Sequence, residues 1–439
     1  MISIFTVYSD ICKKSAPAHW QIRRFKDIIT SSRSGIWGDE KKGDANDIVC
    51  YRVADFDYSN LCLKFDNITY RNVLPEQANE KLLSEGDLLL EKSGGGEKMP
   101  VGRVVLVNSP QRAVCSNFIQ ALSVNKKQSA RFVLYLFHSI YSNRINTLFF
   151  NQTTGIQNLK TAHYLAQEIF LPPYSEQEAI AAYLDKECEK IGRKIELLER
   201  KADAYSRLRR SLINRAVTRG LDPNVSLKPS PIAYETEIPS HWEIRRIKSL
   251  FEERIEYSYT GNEDLLSVSE YYGIAKRADI IDNENISRSD SLEGYKRCYI
   301  GDIVSNIMLA WKGSLGMTNY NGIVSPAYGV YKPIYKLNSR YYHYLFRTEL
   351  YKAIFKNHSR GIIDSRLRLY TPNFLALKTF YPPLSEQNEI AAYLDEKCAK
   401  IDTILEKINT EVERLKELKR SLINEVVTSQ RAIDTESRS

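Results

Sequence analysis

Little in this sequence suits catalysis, a membrane span or a disulfide framework. The 439 residues include only seven cysteines, at 12, 50, 62, 115, 188, 298 and 398, an odd number without a CxxC pair. That spacing excludes a disulfide scaffold and a cysteine-rich zinc site. Six histidines, at 19, 138, 163, 241, 343 and 358, form no HExxH pair and no nucleophile–base arrangement. No apolar run approaches the roughly 18 residues that a membrane span needs. The apolar start Met1–Phe5 is short and lacks a basic leader, so a reducing, cytoplasmic setting is expected. Gly94-Gly95-Gly96-Glu97-Lys98 runs into Met99-Pro100 rather than a helix start, so it is no nucleotide phosphate loop. Sixty-two Lys and Arg against 54 Asp and Glu leave a net charge of +8, which suits a polyanionic partner without demanding one.

What is present is a repeat. Residues 172–191 and 382–401 share 14 identities in 20 positions at a constant offset of 210, and the offset also carries Arg210–Asn214 onto Arg420–Asn424. A shorter echo relates Pro17-Ala18-His19-Trp20 to Pro239-Ser240-His241-Trp242 at an offset of 222. Between each His-Trp element and its Pro-Pro element lie about 150 and 140 dissimilar residues, a domain's worth in each case. These features divide the chain at 1–171, 172–220, 221–238, 239–381, 382–428 and 429–439: domain, helix, linker, domain, helix and tail.

Each repeated segment reads as one long helix. Ser175 stands three residues before Glu178, a capping-box spacing, and Gly220 followed by Pro223 predicts the end of the first copy. Ile180, Leu184, Cys188, Ile191, Ile195, Leu198, Ala202, Tyr205, Leu208 and Leu212 recur in steps of three and four. The second copy offers Ile390, Leu394, Cys398, Ile401, Leu405, Ile408, Val412, Leu415, Leu418 and Leu422. Such stripes require a partner, and the economical pairing is an antiparallel coiled coil between the two copies, with pseudo-two-fold symmetry and the domains held apart. The domains themselves read as mixed α/β, an α+β protein overall. Strands are expected at Leu88–Leu90, Val104–Val107 and Ile303–Val304, and helices at Ala130–Asn143 and Asn338–Lys356.

The residues offer no catalytic constellation. Leu171-Pro172-Pro173-Tyr174 is similar to the tetrapeptide by which amino-methyltransferases hold an exocyclic amine, but leucine cannot accept the amine hydrogens. His19 and His241 recur beside tryptophans and read as packing elements. Cys188 and Cys398 lie on the helix stripes, where core packing accounts for them. The loops are better suited to nucleic acid. In the first domain the expected contacts are Lys92, Ser93, Gly94, Gly95, Lys98 and Arg103, with Thr154, Gln157 and Asn158. In the second they are Ser305, Asn306, Trp311, Lys312 and Ser314, with Arg360, Arg366 and Arg368. Arginine reads guanine edges and glutamine or asparagine reads adenine, so the two loop sets suggest different base preferences.

Taken together, Ile238-Pro239-Ser240-His241-Trp242, Pro382-Pro383-Leu384-Ser385-Glu386-Gln387 through Asp395, and Asn306–Gly313 with Ile323–Tyr328 resemble the specificity subunit of type I restriction–modification systems. The resemblance covers nearly the whole chain. It implies two target-recognition domains, each reading half of a bipartite, asymmetric double-stranded DNA target, with the helices as a ruler. It also implies docking of methyltransferase subunits, two of them, for adenine methylation, and of motor-nuclease subunits for restriction. S-adenosylmethionine, ATP and magnesium would then reside on those partners. Helix seam and partner docking would fall to Leu184, Ile191, Ile195, Leu198, Leu394, Ile401, Leu405 and Ile408. Two other readings are a related system whose partner fuses methyltransferase and nuclease, and a coiled-coil scaffold without a DNA role.

Overall fold

The computed structural model describes residues 4–109, 111–153, 155–280 and 291–433. They fall into two compact units, and each unit takes part of both long helices. The first comprises Met1–Glu199 with Asn409–Ser439, and the second Arg200–Ile408.

In the first unit, six strands form a sheet in the order Ile29–Ser34, Ile119–Val124, Leu88–Glu91, Val104–Leu106, Cys62–Leu63 and Phe56–Asp57. Leu88 and Leu90 face the helix Ala130–Ser142, whose Phe132, Val133, Leu136 and Phe137 are buried in the same core. Ile180, Leu184 and Cys188 of the first long helix join that core, and so do Leu422, Ile423, Val426 and Val427 of the second. In the second unit a four-stranded sheet, in the order Phe251–Glu253, Gly329–Pro333, Ile303–Ser305 and Leu315–Met317, packs against a tyrosine-rich helical layer. Ala216, Val217, Ile390, Leu394 and Cys398 complete its core. The expected strands are present. The expected helix over Asn338–Lys356 is broken in two, Ser339–Leu345 and Glu349–His358. Thr348 makes the break: its backbone is extended and its hydroxyl accepts from the Tyr351 amide, a cap that competes with helix continuation.

The long helices run Tyr174–Arg219 and Leu384–Val427. The first does not begin with the expected capping box. Ser175 already lies in the first turn, where the Pro173 carbonyl accepts from the amides of Glu176 and Gln177. The Gln177 side-chain amide instead donates to the Pro172 carbonyl at 2.8 Å, and Gln387 does the same to Pro382 at 2.8 Å. The first helix stops at Gly220, whose φ is +74°; a Cβ there would stand 2.6 Å from the Glu386 carboxylate. Glycine is therefore required twice over, by backbone and by space.

Within the first unit the helices pair antiparallel, since Lys194 bonds Glu411 at 3.0 Å while Leu184 shares a core with Ile423. Within the second, Arg209 faces Asp402 at 3.4 Å while Val217 shares a core with Ile390. Leu184, Leu394, Ile401 and Ile408 are buried, and Ile191, Ile195, Leu198 and Leu405 half-buried. Leu208 and Leu418 depart from the expected stripe, at 46% and 43% exposed. The inward place is taken one residue later by Arg209 and Lys419. Each keeps its stem on the seam with a counterpart for its head, the Asp402 carboxylate as an ion pair without a hydrogen bond for one and the Ser59 carbonyl as an acceptor for the other. Ile408→Asp should therefore cost about 3 kcal/mol or more, and Leu208→Asp almost nothing. Chemical denaturation of the full chain checks both, and equal losses would refute the shifted seam.

Candidate nucleic-acid interface and its scaffold

The two domains differ in sequence but are mounted identically. Strand Gln21–Arg24 pairs antiparallel with Glu168–Leu171, and Glu243–Arg246 with Lys378–Tyr381, so each His-Trp element leads into the strand beside the one that enters the helix. Trp20 donates its indole N–H to Glu176 at 3.0 Å, and His19 bonds the same carboxylate at 2.8 Å. Trp242 and His241 do likewise to Glu386, at 2.9 and 2.8 Å. The packing role expected of the histidines is therefore accompanied by a hydrogen bond to the first helical turn.

A second clamp is not evident from the sequence motifs. Asp185 accepts from Arg131 at 2.7 Å and from the Tyr135 hydroxyl at 2.5 Å. Asp395 accepts from Arg340 at 2.8 Å and from Tyr344 at 2.6 Å. Gln177 Oε1 takes the Ser129 amide, as Gln387 takes that of Asn338. A signal is nonetheless present: Arg131, Tyr135, Leu136 and Phe137 recur as Arg340, Tyr344, Leu345 and Phe346 at an offset of 209. Four matches within seven residues, about two turns of helix, are too few to stand out amid divergent flanks.

In the first domain the two predicted loops meet. Ser93–Gly94 pairs with Gln157–Asn158 as one edge of a three-stranded sheet, and the Ser93 hydroxyl donates to Asn158 at 2.7 Å. Gly94 and Gly95 both take positive φ, and a Cβ on Gly95 would strike the Val101 amide at 2.7 Å. The glycine loop borders a surface cavity of about 610 Å³ with Glu91, Arg103 and Phe118. Three of the predicted contacts turn inward instead. Gln157 is 2% exposed and its Oε1 accepts from the Val101 amide at 3.1 Å, so it holds the loop rather than facing a base. Arg103 makes a two-pronged pair with Glu91 at 2.8 and 3.0 Å and lies 3.9 Å over the Tyr58 ring. Burial pushes the Glu91 carboxyl above its ordinary value even with Arg103 beside it. Lys92 donates to Ser34 at 2.5 Å and to Gln120, and burial lowers its ammonium pKa. Lys98 and Asn158 stay exposed. Thr154 lies outside the described residues.

The second domain repeats this pairing of loops. The Leu369 amide donates to the Ile307 carbonyl at 2.8 Å, joining 305–314 to 359–368. Ser305, Asn306 and Ser314 are buried and structural: Asn306 accepts from the Met308 amide at 3.1 Å, and Ser314 donates to the Val268 carbonyl at 3.0 Å. Trp311 is half-buried, its N–H on the Met308 carbonyl, with Lys312 and Lys356 over its ring at 5.2 and 5.0 Å. Lys312, Arg360 and Arg366 are exposed. Arg368 folds back, donating to the Leu367 carbonyl at 2.8 Å. Among the described residues no side-chain hydrogen bond or ion pair engages the guanidinium of Arg360 or Arg366. Beneath this surface, Arg347 donates to five carbonyls, of Ser269, Glu270, Tyr271, Gly313 and Leu315, at 2.9–3.2 Å.

Among the described residues no cluster of His, Cys, Asp and Glu could hold a metal ion, and no helix is long and apolar enough to cross a membrane. The arrangement is one of two polar, basic loop clusters on a duplicated mount.

Known proteins share this organisation. The Type I restriction modification DNA specificity domain matches twice, over residues 17–201 and 239–414. The type I restriction enzyme MjaVIII specificity subunit of Methanocaldococcus jannaschii is 22% identical over 437 residues, covering 94% of this chain and 93% of its own. A second protein of that organism, the putative type I restriction enzyme MjaX specificity subunit, is 22% identical over about half of each chain. A solved chain of a type I R-M system superposes with a TM-score of 0.66 at 15% identity, over 94% of this chain and 98% of that one. The HsdS subunit from Thermoanaerobacter tengcongensis superposes with a TM-score of 0.51 at 16% identity, over 94% and 97%. With both of its halves matched by the family pattern, this chain belongs to the type I restriction–modification DNA specificity family.

Proposed function

We propose that this chain is the non-catalytic, DNA-reading subunit of a type I restriction–modification complex. The observation that carries the reading is the pairing of two adjacent loops in each of two dissimilar domains, each domain mounted by the same clamps on a duplicated helix. Duplication of the mount supports two equivalent methyltransferase docking sites, and divergence of the loops supports two different half-sites. S-adenosylmethionine, ATP and magnesium would be supplied on the methyltransferase and motor-nuclease partners. An interaction scaffold without a DNA role leaves the exposed Lys98, Lys312, Arg360 and Arg366 without a purpose.

The test is coexpression with the methyltransferase encoded beside this chain, followed by sequencing of the host DNA for methylated adenines. A split, asymmetric motif that vanishes without this chain is the expected result. Methylation without any bipartite motif would favour the scaffold, and failure to form a complex would point to another partner class.

Base reading itself is tested at Arg366. Arg366→Ala should relax selectivity at one position of one half-site by about 1–3 kcal/mol, the worth of a bidentate base contact. Competition binding with singly substituted duplexes measures it. Uniform weakening across all sequences would make Arg366 a phosphate contact.

A further inference from the structure

Each domain exposes an isoleucine directly after a glycine of positive φ. In the second, Arg360 and Arg368 bridge through reciprocal amide–carbonyl bonds of 2.9 Å, closing a loop rooted by the buried Leu367 and Leu369. At its tip Gly361 has φ +148°, and a Cβ there would stand 2.5 Å from the Arg366 carbonyl. That close approach fixes the turn and drives Ile362 outward, to a relative exposure of 101%, with Ile363 at 53% beside it. In the first domain the segment matching in position carries Gly155, φ +83°, followed by Ile156, 48% exposed at the start of the hairpin strand Ile156–Leu159. The domains have little sequence in common, yet Gly-Ile recurs in the loop that lies beside the other predicted contact loop.

A fully solvated branched side chain, held out by a fixed turn, contributes nothing to the fold. Its surroundings indicate what it meets. Arg360 and Arg366 flank Ile362 with no carboxylate partner among the described residues, and Lys312 stands in the adjoining loop; Asp364, the acid of the turn, is neutralised by Lys356 at 3.0 Å. An apolar tip within a basic rim matches a stacked polyanion, in which apolar wedges part base steps while cations hold the phosphates.

We propose that Ile362 and Ile156 are wedges that press into a base step of their respective half-sites, so that part of the selectivity is for a deformable step rather than for base edges. This rests on the DNA-reading function above and adds a mode of recognition to it. Pyrimidine–purine steps unstack most readily, so each half-site should hold one such step at the wedge.

The experiment uses the full chain in complex with its methyltransferase, and duplexes carrying the methylated motif with 2-aminopurine at single positions other than the methylated adenine. A several-fold rise in fluorescence is expected at one step of each half-site. Ile362→Ala should abolish it in one half-site and Ile156→Ala in the other, each leaving the opposite step unstacked. Ile362→Leu should preserve the signal. Selective binding by Ile362→Ala should weaken by roughly tenfold without change in the salt slope, because no phosphate contact is lost. Persistence of both signals in the alanine variants overturns the wedge. So does release of the methyltransferase by Ile362→Ala on gel filtration, which would make Ile362 a protein contact. A bipartite motif methylated normally, with no step unstacked by the unaltered chain, refutes the wedge and leaves DNA reading standing; absence of any bipartite motif refutes both.

Discussion

Arg103→Ala is expected to destabilise the first domain by about 3–5 kcal/mol, the range for removing one partner of a buried ion pair. Glu91 is only 1% exposed and both its oxygens are bonded to Arg103, so the variant strands a carboxylate in the core. The loss should depend on pH. A carboxyl raised above its unfolded value, as burial raises Glu91, favours the folded state when protonated. That contribution is complete below the ordinary glutamate pKa of about 4.3 and disappears as pH rises through the raised folded value. Without Arg103 the rise is larger, so the deficit of the variant should be small in acid and full at neutral pH. Replacing both partners by leucine should cost far less than either single change, because no charge is left unpaired. Urea denaturation of the full chain across that pH range measures all three. Wild-type stability in Arg103→Ala, accompanied by relaxed selectivity in one half-site, would return Arg103 to the set of base contacts.

The inward turn of Arg103 marks the boundary of what the amino-acid pattern discloses. The long helices are legible because a stripe in steps of three and four, sustained over more than forty residues, fits a helix and no strand or loop, and the repeat doubles the signal. The loops that approach nucleic acid are legible as segments, since glycine clusters and basic residues outside periodic stretches mark them. Single residues within the loops are not. Gln157 and Asn158 look alike in sequence, but the strand alternates, so one faces the Val101 amide and its neighbour faces solvent. Arg103 and Arg366 are both arginines near a turn; only the tertiary fold places Glu91 and Tyr58 around the first. The same limit misplaces the seam at Leu208 and Leu418. Hydrophobicity favours leucine there, while the pairing of Arg209 with Asp402, a contact between distant segments, brings the charged residue inward. Local pattern reports which face is apolar; it does not report which charged group will find a partner.

The remaining large effect is expected at Arg347, which the sequence marks only as part of a helix. Its side chain is half-buried, and burial, aided by Arg209 and Arg340, lowers its pKa to about 10, so it is still protonated at neutral pH. Among the described residues no carboxylate pairs with it. The five carbonyls it holds belong to two loops, Ser269–Tyr271 and Gly313–Leu315, and the second of these follows Trp311 and Lys312 directly. Arg347→Met keeps the aliphatic stem but withdraws the guanidinium from all five carbonyls, of which that of Gly313 keeps the Leu315 amide as a donor; the loss is about 3 kcal/mol for two or three buried carbonyls left unpaired. Arg347→Lys should recover only part of it, because a compact ammonium cannot span five acceptors as a planar fork does. The functional consequence should be confined to the half-site read by the second domain, where selectivity falls while the first half-site is read as before. Thermal denaturation with methylation mapping of the same variants separates the two effects. Loss of stability with unchanged selectivity in both half-sites would show that the loops keep their reading geometry without this anchor.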